Sequence, residues 1–264
     1  MPSVFYQKLN LQAPIHPAQY QELLAGGWYR VQQLLMTTDF IMQEGMVARA
    51  MEPEFYQGNF HYLNKEVAPV FWLRINLSKL HQTKKHAHKN YIEKQLRCEV
   101  SKYDYRPIDE LLYAKYRQAI DFDASPTLYG YLYDDEAPYD FFNSTAIRLF
   151  DGEELVACGI FDEAGHSTAG IINFFDPTYR KYSLGKWLIQ KKISLALAQG
   201  LQFYYPGYFS TRIAKFDYKL NIAPTATEIW IREAQKWVAA KEISMAQLEN
   251  YLIQVMASAW TKRP

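Results

Sequence analysis

The strongest constraint on the fold lies in the second half of the chain, where strand-like and helix-like segments follow in a fixed order. Ser144 to Phe150 reads as a strand and Asp151-Gly152 as a two-residue hairpin turn; Glu154 to Phe161 is the returning strand. Thr168 to Phe175 is a further strand, ended by Asp176-Pro177. Ser183 to Gln199 has the spacing of a long amphipathic helix, with Gly200 as its natural C-terminal stop. Leu201 to Phe209 then returns as a strongly aromatic strand. Hairpin, strand, helix, strand is an α/β (α+β) pattern, with a mixed central sheet flanked by helices.

The first half is less regular. Pro17 to Leu24 reads as a short helix ended by Gly26-Gly27, and Trp28 to Phe40 is rich in strand formers. Val70 to Leu77 alternates as a strand, and Leu80 to Leu96 is a polar, basic helix carrying Lys84, Lys85, Lys89 and Lys94. Cys98 to Tyr103 is extended. Asp109 to Ile120 is a helix with acids in its first turn and bases towards its end, as the helix dipole favours. Turn formers cluster between Ala124 and Pro138. After Pro224 a helical tail is expected from Glu228 to Trp260. The resulting division is residues 1–124, 125–225 and a helical extension over 226–264.

Composition excludes several classes. Lys and Arg number 29 against 28 Asp and Glu, so the net charge of +1 argues against a highly charged disordered chain or an indiscriminate basic tail. The bases are nevertheless concentrated, at Lys79 to Arg97 and at Arg180 to Lys192. With only Cys98 and Cys158 there is no cysteine cluster for zinc or iron–sulfur, and a reduced chain is expected. His86 and His88 point apart on a helix, so no metal site is expected. No stretch reaches the roughly 18 apolar residues of a membrane span, and Met1 to Asn10 lacks a signal pattern. A cytoplasmic chain without membrane contact is the expectation, with its oligomeric state open.

Chemistry concentrates between Ile171 and Leu220. Arg180, Lys181 and Lys186 surround the start of the long helix, where backbone N–H groups and the dipole favour an anion. Arg180-x-x-Ser183-x-Gly185 fits the loop with which acetyltransferase-type folds cradle the pyrophosphate of coenzyme A. Ser183 replaces a glycine there, which counts against coenzyme A as the donor. Tyr204 and Tyr205 face opposite ways by alternation, so at most one of them lines a cleft with Tyr208. Such tyrosines are more often core than catalytic.

The segments DPTYRKYSLGKW, GLQFYYPGYF and KFDYK, in this order and spacing, resemble the C-terminal domain of the arginyl-tRNA–protein transferase family, which includes bacterial leucyl-transferases. GGWYR at Gly26 to Arg30 and FWLRINL resemble the N-terminal domain more weakly. The resemblance implies an acetyltransferase-like (GNAT-type) fold in which aminoacyl-tRNA, a co-substrate, replaces acetyl-CoA, with no cofactor. It implies two partners, charged tRNA and a protein or peptide N-terminus. The free α-amine would attack the aminoacyl ester, with arginine the first cargo and leucine the next, and proteins starting with an acidic residue would be marked for degradation. Many members carry a cysteine cluster in the N-terminal domain; Trp28 to Gly58 has none. On this reading Asp176 takes a proton, and Tyr204 and Tyr208 serve the developing oxyanion. Arg180, Lys181, Ser183, Gly185, Lys186, Lys215, Tyr218 and Lys219 contact substrate. A coenzyme A-dependent N-acyltransferase and a non-catalytic tRNA- or peptide-binding protein are the alternatives.

Overall fold

The computed structural model describes residues 6–42, 67–80, 92–120, 124–133 and 140–250. Its strands are β1 (Tyr6–Asn10), β2 (Tyr29–Val31), β3 (Leu34–Thr38), β4 (Phe40–Met42), β5 (Val67–Pro69), β6 (Phe71–Asn76), β7 (Arg97–Lys102), β8 (Ser144–Asp151), β9 (Glu154–Ala164), β10 (Ser167–Phe175), β11 (Phe203–Phe209), β12 (Thr227–Ile231) and β13 (Lys236–Ala239). The helices are α1 (Pro17–Ala25), α2 (Pro107–Gln118), α3 (Leu128–Leu132) and α4 (Leu184–Ala198).

An eight-stranded sheet in the order β13-β12-β6-β11-β10-β9-β8-β7 organises the molecule. Only β10 and β11 pair in parallel, because α4 carries the chain across the sheet between them. The architecture is mixed α/β, as the periodicities indicate. Helix α4 covers one face, packing Leu184, Trp187 and Leu188 on Ala157 and Phe161. Its next turns pack Ile189 and Ile193 on Ile75 and Tyr204. On the other face α2 and α3 bury Leu112, Tyr113 and Leu128 against Cys158, Ile160 and Phe174. Beside them α1 and the small β1-β3-β2 sheet bury Tyr20, Leu24 and Leu35 against Ala164, Ala169 and Tyr205.

Two segments differ from the expectations. Residues 227–239 form the β12/β13 hairpin, not a helical tail. The run Thr-Glu-Ile-Trp-Ile alternates β-branched residues, and β12 also pairs with β6, so the sheet outcompetes local helix propensity. Residues 245–250 are helical, and 251–264 lie outside the described residues. Of the basic segment Lys79 to Arg97, residues 92–95 are helical, and 81–91, with both His86 and His88, lie outside the described residues. The large sheet draws β6 and β7 from before residue 124, β8 to β11 from the middle and β12 and β13 from beyond 225.

Among the described residues before β6, a buried ion pair anchors the segment to β8 and β9, beside the Arg232–Asp39 pair and the Trp237 bond to the Ala25 carbonyl. Arg30 Nη1 donates to Asp162 Oδ1 and to Ser144 Oγ, each at 2.9 Å, and Arg30 Nε donates to the Gln32 carbonyl at 2.7 Å. Tyr20 Oη donates to the other Asp162 oxygen at 3.1 Å, and the guanidinium lies 4.4 Å over the Phe142 ring. Burial works against the Arg30 charge, but the Asp162 and Asp140 carboxylates and the hydrogen bond to Asp162 together outweigh it and raise the guanidinium above its ordinary value. A second buried pair, Arg148 to both oxygens of Asp109 at 2.9 and 2.7 Å, fastens α2 to β8. Gly27, at φ +78°, makes the approach of α1 to β12 possible, since a Cβ there would lie 2.6 Å from the Trp230 ring.

Removing one partner of such a pair strands the other charge in the interior. Asp162→Asn is expected to cost about 3–5 kcal/mol in urea unfolding. The double variant Arg30→Met/Asp162→Leu should be less destabilised than Asp162→Asn; a double variant at least as unstable would contradict this account.

Candidate active site

The parallel strands β10 and β11 are paired over only three positions, Ser167 with Phe203 through Ala169 with Tyr205. Beyond them β10 continues against β9 after a register shift between Gly170 and Ile172. Strand β11 continues against β6 after a shift between Tyr204 and Gly207. Two bulges thus pull neighbouring strands apart and open a V-shaped gap in the middle of the sheet.

The register shift between β9 and β10 leaves backbone carbonyls to be answered by side chains, and two side chains do so. From α3, Tyr131 Oη donates to the Ile171 carbonyl at 3.1 Å. From α4, Lys192 Nζ donates to the Ile160 and Ile172 carbonyls at 2.7 and 3.1 Å. Lys192 is fully buried, in space left by Gly159, where a Cβ would come within 3.1 Å of Lys192 Cε. It therefore leaves the basic surface cluster to which its sequence neighbours suggested it belonged. Burial pulls its amine down to about 7.

Aromatic side chains border the gap. Tyr204 lies on the α4 face and Tyr205 on the opposite one, as alternation requires. The Tyr204 hydroxyl lies over Gly170, where any Cβ would collide with it. Tyr208 meets Trp72 edge-on at 5.6 Å and Phe216 at 5.0 Å, and Tyr29 stacks on Trp72 at 5.4 Å. The short 3-10 helix Ala214–Lys219 folds back over β11 and brings Lys219 Nζ to the Tyr208 carbonyl at 2.8 Å. Burial raises the Tyr208 phenol to about 12; burial first, then Tyr218, pushes the Tyr204 phenol up as well. Burial first, then the Tyr131 and Tyr204 hydroxyls, does the same to Tyr29. At neutral pH these hydroxyls are protonated donors. Burial lowers the Lys219 amine to about 7.

The basic loop lies at the open end of the gap, where β10 ends. Asp176 caps a 3-10 helix, Pro177–Tyr182, with Oδ1 accepting from Thr178 N at 2.9 Å and from Thr178 Oγ1 at 2.6 Å. Its other oxygen lies 3.3 Å from Lys115 Nζ. Burial would raise the Asp176 carboxyl, but the Thr178 and Lys115 hydrogen bonds outweigh it and hold the group below its usual range. Arg180, Lys181, Ser183 and Lys186 are exposed, and Gly185 packs on Phe175 with a Cβ position 3.4 Å from its ring. Ser183 is left-handed, φ 53° and ψ 45°, and the first N–H groups of α4 receive no side-chain cap.

Thus Tyr204, Tyr208 and Lys219 come together at the gap, with Tyr218 beside Tyr204 and 46% exposed. Arg180, Lys181, Ser183, Gly185 and Lys186 sit on its rim, and Asp176 is engaged in holding that rim. The side chain of Lys215 lies outside the described residues. Sequence reasoning missed Tyr29, Trp72, Tyr131 and Lys192. Tyr29 and Trp72 stood in GGWYR and FWLRINL, noted above without a role; Tyr131 and Lys192 carried no signal.

The family model described as arginine-tRNA-protein transferase, C terminus, matches residues 78–229. An aspartate/glutamate leucyltransferase of Nitrosococcus oceani is 31% identical over 118 residues, 41% of this chain and 48% of that protein. One from Bradyrhizobium diazoefficiens is 33% identical over 94 residues, 34% and 36% of the two chains. The chain spans about half the length, or less, of these curated relatives. Among solved structures, the C-terminal domain of a putative lysylphosphatidylglycerol synthetase from Agrobacterium fabrum aligns with a TM-score of 0.41 at 11% identity, covering 58% of this chain and 56% of that one.

Lys192 has a measurable signature. Its amine titrates near 7 when folded and near 10.4 when unfolded, so the unfolded chain binds the extra proton between those values. Folding stability therefore rises with pH across that window and is insensitive to this group below it. Lys192→Met should remove up to about 1.4 kcal/mol per pH unit of that slope in denaturation series from pH 7 to 9. An unchanged slope would show that Lys192 is not held in this environment.

Proposed function

The chain belongs to the arginine-tRNA–protein transferase family, and we propose that it moves an amino acid from charged tRNA to the α-amine of a protein or peptide N-terminus. The observation that carries this reading is the tyrosine-bordered gap between β10 and β11, with a basic helix start at its open end. A bulged strand splayed from its parallel neighbour, followed by the connecting helix, supports a GNAT-type assignment for this half of the sheet.

In the proposed step the amine nitrogen attacks the ester carbonyl carbon. The amide bond forms, the bond from that carbon to the ribose oxygen breaks, and the proton lost by nitrogen ends on that oxygen. An α-amine has an ordinary pKa of about 7.7–8.0, so a useful fraction is neutral without a strong base. Asp176 is then assigned to loop positioning, because both of its oxygens are engaged, Oδ1 by Thr178 and Oδ2 by Lys115. Tyr204 and Tyr208 are assigned as donors to the carbonyl oxygen, whose negative charge grows in the transition state. Arg180, Lys181, Lys186 and the uncapped N–H groups of α4 are assigned to phosphates of the tRNA acceptor end. That the two relatives are aspartate/glutamate leucyltransferases supports leucine ahead of arginine as cargo, and Asp or Glu as the first residue of the acceptor.

The test is transfer of labelled leucine and arginine from their tRNAs to peptides beginning with Asp. Transfer from at least one tRNA is expected, and none from either would overturn the reading. Tyr204→Phe and Tyr208→Phe should each lower kcat by about 10- to 100-fold. A variant with the wild-type rate would remove that tyrosine from the site. Arg180→Ala with Lys181→Ala should instead raise KM for charged tRNA and flatten its salt dependence.

A further inference from the structure

Among the described residues, cations that lie buried or partly buried against the main sheet are otherwise matched. Arg30 is held by Asp162, Arg148 by Asp109 and Arg74 by Glu228, and Lys192 is sealed between two carbonyls. Lys219 is the exception. Its ammonium makes one hydrogen bond, to the Tyr208 carbonyl, and among the described residues no carboxylate lies within ion-pair distance. It rests 5.2 and 5.1 Å over the Tyr208 and Phe216 rings, which stabilise a cation without neutralising it. Two of its three N–H groups remain for another acceptor.

The space in front of it is also defined. A Cβ added to Gly207 would stand 3.4 Å from Lys219 Nζ, 3.6 Å from Tyr29 Cζ and 3.7 Å from Tyr29 Oη. The small space over the Gly207 backbone, the slot, is thus in contact with both the ammonium and the phenol. It adjoins Tyr208, one of the aromatic residues that border the gap. An anion placed there would take a charged and a neutral hydrogen bond.

Resting on the function proposed above, we infer that Lys219, aided by the Tyr29 hydroxyl, receives the side-chain carboxylate of the acceptor's first residue and sets the preference for acidic N-termini. The exposed bases on the rim suit extended phosphates, whereas this single enclosed ammonium suits one small anion. Its amine, near 7 in the empty slot, rises once a carboxylate lies beside it, so acidic acceptors bring in a proton that their amides do not. The titratable groups facing it are Tyr208 from β11 and Tyr29 from β2, and burial keeps both protonated.

The experiment compares kcat/KM for peptides that begin with Asp or Asn, and with Glu or Gln, using the full chain and whichever charged tRNA it accepts. Wild type should prefer each acid over its amide by tenfold or more. Lys219→Met should lower the acid-to-amide ratio by about 10- to 100-fold, the range for one charged hydrogen bond, whatever it does to the rate on either peptide alone. Lys219→Arg should restore part of the ratio. An unchanged ratio in Lys219→Met, or a wild type without preference, overturns the inference while leaving the transferase reading intact. Should the variant not fold, N-acetyl-Asp and N-acetyl-Asn peptides are compared as inhibitors of wild type, and equal inhibition overturns it. If wild type transfers nothing, the transferase reading has failed. Tryptophan fluorescence titration with the same peptides then judges the slot alone: tighter binding of the acid supports it, and equal binding removes it.

Discussion

Among the described residues before β6, a buried ion pair fixes the segment on β8 and β9, while Arg232 to Asp39 and Trp237 to the Ala25 carbonyl hold it on the other side of the sheet. Arg30 reaches Asp162 and Ser144 on two adjacent strands, β9 and β8, and Tyr20 of α1 closes on the same carboxylate. Neither charge is stable in the interior alone, so each requires the other. The geometry of the pair sets where β2 lies. That placement puts Tyr29, the residue before Arg30, on Trp72 and beside Gly207. A structural contact near one end of the sheet therefore determines one wall of the candidate site.

The site itself exists because a sheet has been interrupted. Register shifts in β10 and β11 accompany the parting of these strands, and carbonyls at the β9/β10 shift are answered from opposite faces, Ile171 by Tyr131 and Ile160 and Ile172 by Lys192. An unsatisfied buried carbonyl costs free energy comparable to a lost hydrogen bond. Tyr131 and Lys192 thus stabilise the irregular stretch of β10 beside the cleft. The burial that makes Lys192 a structural pin also depresses its amine. Lys219 experiences the same depression, but with donors left over and a space before it.

Local chemistry explains what could be read in advance. The β8/β9 hairpin, β10, α4 and β11 announce themselves through alternation, turn residues and a glycine stop, all short-range signals. The charged rim at Arg180 to Lys186 was legible for the same reason: a basic loop before a helix start is a local pattern. The β12/β13 hairpin was misjudged because its strand character comes from pairing with β6, about 150 residues earlier in the chain, which no local window contains. Asp176 was legible as an acid at a strand end. That both of its oxygens are engaged, by Thr178 and Lys115, depends on α2 reaching the loop.

The sequence by itself determined the order of elements in the second half, the family resemblance and the clustering of bases and tyrosines around the β10-α4-β11 unit. Periodicity, turn propensity and motif spacing are properties of neighbouring residues. Only the tertiary structure decided which tyrosines border a gap, which lysine is buried beneath a bulge and which is left with an open slot. Those outcomes depend on desolvation and on contacts between β2, β6, α3 and the main sheet. Burial and long-range pairing, unlike local pattern, are defined only once the whole chain has folded.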